Sequence, residues 1–102
     1  MKGRKLSPIT PGEILLEDFL NPLKMNANQL ALALRVPANR ITAILEGRRA
    51  INGDTALRLA RYFDMSPRFW INLQAQYDLR KAEVELSEKI AREVQPRERS
   101  AA

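Results

Sequence analysis

The sequence predicts an all-α fold of five helices, of which the last is extended. Over the 102 residues, no stretch alternates apolar and polar side chains long enough to form a convincing strand. Apolar residues instead recur with the 3.6-residue period of amphipathic helices, and capping signals precede the first of these segments. This length suits one core, so we expect residues 1–95 to form a single domain and residues 96–102 a polar tail.

The first helix has clear signals at both ends. Thr10 is followed by Pro11, which suits the first helical position, and Glu13 stands where a capping box requires it. The apolar residues of this segment run to Asn21-Pro22, where we expect the proline to end or kink the helix because it lacks a backbone N–H.

The second and third helices are short and close together. Asn26 and Gln29 form a second capping-box pair, and the helix that they open runs out near Arg35. Pro37 then starts the third helix, and Gly47 ends it. Two short helices joined by a tight turn form a helix-turn-helix, in which the second helix enters the DNA major groove with its N-terminus first.

The fourth and fifth helices complete the predicted core. Asn52 caps the fourth helix, and Ser66-Pro67 opens the fifth, whose Trp70 we expect to pack against the first helix. Beyond Tyr77 the core is already complete, yet the helical pattern continues. A partly apolar stripe remains there without a place in the core, and we expect it to contact a partner protein or a second subunit: Leu79, Leu86 and Ile90.

Positive charge is concentrated in the first part of the chain. The net charge is +5, and all of this excess lies in residues 1–72, which hold 11 basic and 6 acidic side chains. Arginine suits bidentate contacts with phosphate or guanine, so a polyanionic partner is the natural inference, although charge alone leaves open a merely solvated surface. Six arginines face only two acidic residues between positions 35 and 61: Arg35, Arg40, Arg48, Arg49, Arg58 and Arg61.

The polar face of the third helix supplies the candidate base contacts. Asn39 can bond to adenine through both amide atoms, and Arg40 can reach guanine or phosphate. The alternatives are that Asn39 is only a surface residue and that Arg40 pairs with Glu46 or water. The side chains expected nearest the base edges, with the proline at the groove entrance, are Pro37, Ala38, Asn39, Arg40, Thr42 and Ala43.

Phosphate contacts are expected on either side of that helix. Gln29 on the second helix, with Arg48 and Arg49 just beyond the third, is better placed for phosphate than for bases. Val36 stands before Pro37 where a capping side chain is common. The N–H groups of the first turn are therefore left for a DNA phosphate or for water.

Composition argues against other functions. The chain has no cysteine and no histidine, which excludes disulfides, Cys/His metal sites and thiol nucleophiles, and we expect neither an enzyme nor a cofactor. A hydrolase using Glu13, Glu17 and Asp18 lacks a strong nucleophile, and six scattered aromatic residues offer no platform for RNA bases. Neither a signal-peptide apolar region nor an 18-residue apolar run is present, so we expect a cytoplasmic protein that does not contact a membrane.

The chain resembles the HigA family of antitoxins, within the lambda-repressor-like (XRE-type) helix-turn-helix proteins. The resemblance covers roughly residues 8–82. Many repressors share its helix-turn-helix part, whereas residues 11–15 together with residues 70–74 are more specific to the HigA family. The matching segments are Pro11-Gly12-Glu13-Ile14-Leu15, Gln29-Leu30-Ala31, Ile44-Leu45-Glu46-Gly47-Arg48 and Phe69-Trp70-Ile71-Asn72-Leu73-Gln74.

The resemblance implies a type II antitoxin that binds double-stranded DNA. Such a protein neutralises a HigB-like, mRNA-cleaving toxin and represses its own operon as a homodimer on a palindromic operator. The alternative is a stand-alone XRE-type repressor without a toxin partner. One position departs from the family, because Arg35 stands where most relatives have glycine in the turn, and a left-handed conformation there would cost roughly 1–2 kcal/mol.

Overall fold

The computed structural model describes residues 8–98, which contain five helices and no strand, as the sequence predicts. The first, α1, covers residues 11–23 and is continuous through three segments, Pro11–Ile14, Leu15–Leu20 and Asn21–Leu23. The others are α2 (Ala27–Leu34), α3 (Ala38–Leu45), α4 (Gly53–Phe63) and α5 (Pro67–Glu93). Residues 94–98, of which 96–98 belong to the predicted tail, are exposed and irregular, and residues 1–7 and 99–102 lie outside the described part.

Helix α1 begins as predicted but ends later. The Thr10 side chain accepts a hydrogen bond from the Glu13 N–H at 3.1 Å, which confirms the capping box. The helix does not stop at Asn21-Pro22 and continues to Leu23. The proline instead follows a π-helical segment, Leu15–Leu20, which widens the helix where its ring would otherwise press on an earlier carbonyl.

The core lies between α1, α5 and the three shorter helices. Trp70 of α5 is fully buried, and its ring centre lies 4.8 Å from that of Phe19 on α1. The predicted packing of the fifth helix against the first is therefore confirmed. The buried apolar side chains around this pair form one cluster, which comprises Leu15, Leu20, Leu30, Ala31, Leu34, Ile41, Ile44, Ile51, Ala56 and Leu59.

The turn between α2 and α3 has a left-handed residue. Arg35 has φ 62° and ψ 46°, which is the left-handed conformation that costs a non-glycine residue free energy. Its N–H donates to the Leu32 carbonyl at 3.3 Å, and the Val36 N–H donates to the Ala31 carbonyl at 3.0 Å. These two bonds are those of a Schellman motif, so the turn keeps the shape that glycine usually supplies.

Two backbones meet where α1 crosses the end of α3. A Cβ atom added at Gly12 would lie 1.9 Å from the Ile44 carbonyl oxygen and 2.9 Å from the Leu45 Cα. Real side chains do not tolerate such contacts, and a backbone carbonyl cannot swing away as a side chain can. The absence of a side chain at Gly12 therefore sets how closely α1 approaches α3.

Helix α5 continues well beyond the core. Residues 83–93 are all exposed, and 27 residues make the helix roughly 40 Å long. Its apolar stripe is uncovered in the single chain, as the sequence predicts, with exposures of 63% for Leu79, 40% for Leu86 and 48% for Ile90. Across the part of the chain that is described, no helix is both long enough and apolar enough to pass through a membrane.

We predict that Gly12→Ala lowers the free energy of unfolding by about 2–3 kcal/mol, because the new methyl group must push α1 away from α3. The control is Gly53→Ala in the first turn of α4, where an added Cβ meets nothing within 4 Å. Urea denaturation followed by circular dichroism compares the two variants. Equal stabilities for both would contradict the close contact.

Candidate nucleic-acid interface

Helix α3 is buried on one face and open on the other. Ile41 and Ile44 are 0% and 1% exposed and fasten the helix to the core. On the other side Ala38 and Asn39 are exposed, and Thr42 and Ala43 are half-buried. The helix therefore presents a largely polar surface while its apolar side chains prevent it from rotating.

The N-terminus of α3 lacks a side-chain cap. Pro37 is the N-cap residue, with φ −62° and ψ 144°, and the first helical residue is Ala38. The prediction that Pro37 occupies the first helical position is therefore wrong by one residue, because its extended ψ places it outside the helix. No side chain accepts a hydrogen bond from the first turn, as the sequence predicts, and these N–H groups can receive an anion.

Asn39 is the freest polar side chain on this face. It is exposed, and its amide makes no hydrogen bond to any residue between 8 and 98. Thr42, by contrast, donates its hydroxyl hydrogen to the Ala38 carbonyl at 3.1 Å, so that donor is used within the helix. An Asn amide with both atoms available is the group that bonds most specifically to adenine.

Arg40 is engaged within the protein. Its Nη1 atom donates to the Asp54 carboxylate at the start of α4. The alternative partner considered from the sequence, Glu46, instead accepts from Arg48, whose Nη2 lies 2.8 Å from Glu46 Oε1. Only 22% of the Arg40 side chain is exposed.

Asp54 links three helices through two arginines. Besides Arg40, it accepts from Arg58 Nε at 3.0 Å, and Arg58 Nη1 donates to the Leu34 carbonyl at the end of α2 at 2.8 Å. The hydrogen bonds from Arg58 and then Arg40 hold the pKa of Asp54 below its usual range. The linkage therefore stabilises the fold above the ordinary aspartate pKa and is lost as the pH falls through the lowered one.

The residues expected to contact phosphate lie on α2 and in the loop after α3. On α2, Gln29 Oε1 accepts from the Asn26 N–H at 2.9 Å, which confirms the second capping box and leaves the exposed Nε2 as a donor. Beyond α3, Arg48 and Arg49 are exposed. Arg48 is partly neutralised by Glu46, whereas Arg49 forms no ion pair with any of the described side chains.

The loop that carries these arginines is held by a residue of α5. Gln74 Oε1 accepts from the Ile51 N–H at 2.8 Å, and Gln74 Nε2 donates to Asp78 at 2.9 Å. Within the loop, the Arg48 N–H donates to the Ala43 carbonyl at 2.8 Å. The position of Arg48 and Arg49 relative to α3 is therefore defined by hydrogen bonds.

Sequence reasoning missed three residues that support this surface. The four-residue spacing of Asp54 and Arg58 is that of a helical ion pair, and it could have indicated their contact. Gln74 lies 23 residues from its partner Ile51, and no local pattern connects them.

Comparison with known proteins agrees with this geometry. A helix-turn-helix family model matches residues 16–70. An addiction-module antidote protein of the HigA family from Coxiella burnetii superposes with a TM-score of 0.83 at 53% identity, covering 89% of this chain and 99% of that chain. Pseudomonas aeruginosa antitoxin HigA, solved with the higBA promoter, superposes with a TM-score of 0.85 at 42% identity, covering 89% of this chain and 99% of its own.

A relative named as an antitoxin is also detected by sequence. Antitoxin HigA-1 of Vibrio cholerae is 32% identical over 79 residues, which cover 78% of this chain and 73% of that protein. These similarities agree with the short α3, its exposed polar face and the capped helices α2 and α4 that adjoin it in the chain. The chain belongs to the HigA family of antitoxins, within the XRE-like helix-turn-helix proteins that bind DNA.

Proposed function

We propose that this protein is the antitoxin of a type II toxin–antitoxin module, and that it represses its own operon and neutralises a HigB-like, mRNA-cleaving toxin. The observation that carries the DNA-binding half is the unpaired Asn39 amide on the exposed side of α3, whose opposite side is locked in the core. A helix fixed in this way can place one amide against one base edge reproducibly.

The first part of α3 enters the major groove with Pro37 at its entrance. Asn39 bonds to adenine N6 and N7, and the methyl groups of Ala38, Thr42 or Ala43 contact a thymine methyl. The uncapped N–H groups of the first turn receive a phosphate. Arg40 reaches DNA only if it leaves Asp54.

Phosphate contacts from the flanks supply affinity without sequence information. Gln29 on α2 keeps its Nε2 as a donor, and Arg49 in the loop after α3 forms no ion pair with the described side chains. Arg48 contributes less than a free arginine because Glu46 shares its charge. Such contacts make binding weaken as salt rises.

The antitoxin half is supported by the relatives and by the uncovered part of α5. The Pseudomonas relative carries the name antitoxin and was solved with the higBA promoter, and the Vibrio relative is also named an antitoxin. The stripe of Leu79, Leu86 and Ile90 is exposed in the single chain, and apolar helix faces of this kind are covered in assemblies. The toxin or the second subunit of a homodimer covers it.

We predict that Asn39→Ala weakens binding to the DNA upstream of the protein's own gene by about 1–3 kcal/mol and removes the preference for one base pair. Asn72→Ala on α5, which removes an equally exposed amide away from α3, is the control. Fluorescence anisotropy with a panel of single-base operator variants measures the preference. An unchanged preference at every position would reject Asn39 as a base-reading residue.

A second prediction concerns the partner. The protein co-expressed with the product of the neighbouring gene should co-purify with it, and the complex should protect two half-sites about 34–36 Å apart, or a multiple of that spacing, on their shared promoter. Replacing both Leu86 and Ile90 with glutamate should abolish either toxin capture or paired protection, because charges then lie on the stripe.

Leu57→Glu, which places a charge at an exposed apolar position on α4, away from the stripe, is the control. If no toxin gene adjoins this one, and the protein binds its operator alone, the stand-alone repressor is the correct function. Retention of both toxin and paired protection by the double variant would show that the stripe is not an interface.

A further inference from the structure

Asp54 lies beside the reading helix without belonging to it. Its Oδ2 atom accepts hydrogen bonds from Arg40 Nη1 on α3 and from Arg58 Nε on α4. The Arg40 side chain is therefore turned toward α4, and its Nε is buried without a partner among the described residues. Arg40, which was expected to contact DNA together with Asn39, is thus held against α4.

The Asp54 carboxylate lies between two guanidinium groups and offsets part of their positive charge. The trio of Arg40, Asp54 and Arg58 has a net charge of +1, and half of the Asp54 side chain remains exposed, at 49%. For Arg40 to reach a phosphate it must leave Asp54, and the carboxylate would then face the polyanion with one cation fewer. Arg58 is further restrained by its bond to the Leu34 carbonyl.

Phosphate contacts and base contacts make different contributions to DNA binding. Each phosphate that a cation neutralises strengthens binding to every sequence and steepens the dependence of log K on log salt by about 0.9. Base contacts strengthen binding to one sequence only. A residue that keeps arginines away from phosphates therefore lowers the affinity for all DNA but not the contribution of Asn39.

We propose that Asp54 lowers the affinity of this protein for DNA of any sequence by withholding Arg40 from the phosphate backbone, so that the contact of Asn39 accounts for a larger share of the binding free energy. Asp54 is a positioning residue that acts through Arg40 and does not itself contact a base. This inference rests on the proposed DNA-binding function and adds to it a reason for an acidic residue on a surface that binds a polyanion.

The first test is Asp54→Asn, which keeps the shape of the side chain and removes its charge. We expect about fivefold tighter binding to the operator and to a scrambled duplex alike at low salt, a salt dependence steeper by about one unit on both, and an unchanged ratio of operator to scrambled affinity. Fluorescence anisotropy on both duplexes between 50 and 300 mM salt, about the range over which such slopes are measured, gives all three quantities.

The matched control is Asp64→Asn at the other end of α4, ten residues or roughly 15 Å away. It changes the net charge equally but releases no arginine, because Asp64 forms no ion pair with the described side chains. It should leave the slope unchanged. An equal change in both variants would mean that only net charge matters, and that would overturn the proposal.

Arg40→Gln provides a test that does not depend on the Asp54 variant folding. Alone, it should leave the salt slope unchanged, since Arg40 does not contact phosphate while Asp54 holds it. Combined with Asp54→Asn, it should remove the extra unit of slope that Asp54→Asn produces. A slope lowered by about one unit in the single Arg40→Gln variant would show that Arg40 already binds phosphate and would overturn the proposal.

Arg49→Ala separates this inference from the proposed function. Its slope should fall by about one unit, because Arg49 is proposed to bind phosphate. If the unaltered protein binds neither duplex, DNA binding itself is refuted and this inference falls with it. If Arg49→Ala behaves as expected but Asp54→Asn changes neither the salt slope nor the affinity for either duplex, only this inference is refuted.

Discussion

The contact between the backbones of α1 and α3 at Gly12 is the constraint on which the rest of the structure depends. With no side chain at Gly12, the first turn of α1 lies directly on the Ile44 carbonyl at the end of α3. The buried side chains of Ile41 and Ile44 fasten the rest of α3 to the core. The helix is therefore oriented without any ligand, and the exposed bond from Arg40 to Asp54 adds little to its position.

Affinity and selectivity are assigned to different residues of the same surface. Arg49 and the uncapped first turn of α3 offer positive charge to any phosphate backbone. Asn39 offers a bidentate amide to one base. Asp54 reduces the charge beside Asn39, so the strongest cations lie at the flanks and not at the reading position. The apolar stripe lies elsewhere, on the part of α5 that extends beyond the core.

Local signals in the sequence predicted most of the fold and much of the candidate surface. Both capping boxes, the five helices and the packing of Trp70 depend on short spacings and on apolar periodicity, and the structure confirms them. Helix α1 ends one residue after Pro22, close to the expected end, but its π-helical segment was not predictable, because such a segment has no sequence signature comparable to a cap. The partners of Arg40 and Gln74 come from other helices, and only tertiary packing brings them together.

The most direct test of the account is an NMR titration of the isotope-labelled protein with a duplex from its own promoter. Amide shifts should change most in residues 38–43 and in Arg48 and Arg49, whereas residues 83–93 of α5 should change least while the protein remains in one oligomeric state. Changes concentrated in α5, with the amide and side-chain signals of Asn39 unmoved, would contradict the claim that α3 is the DNA-reading element.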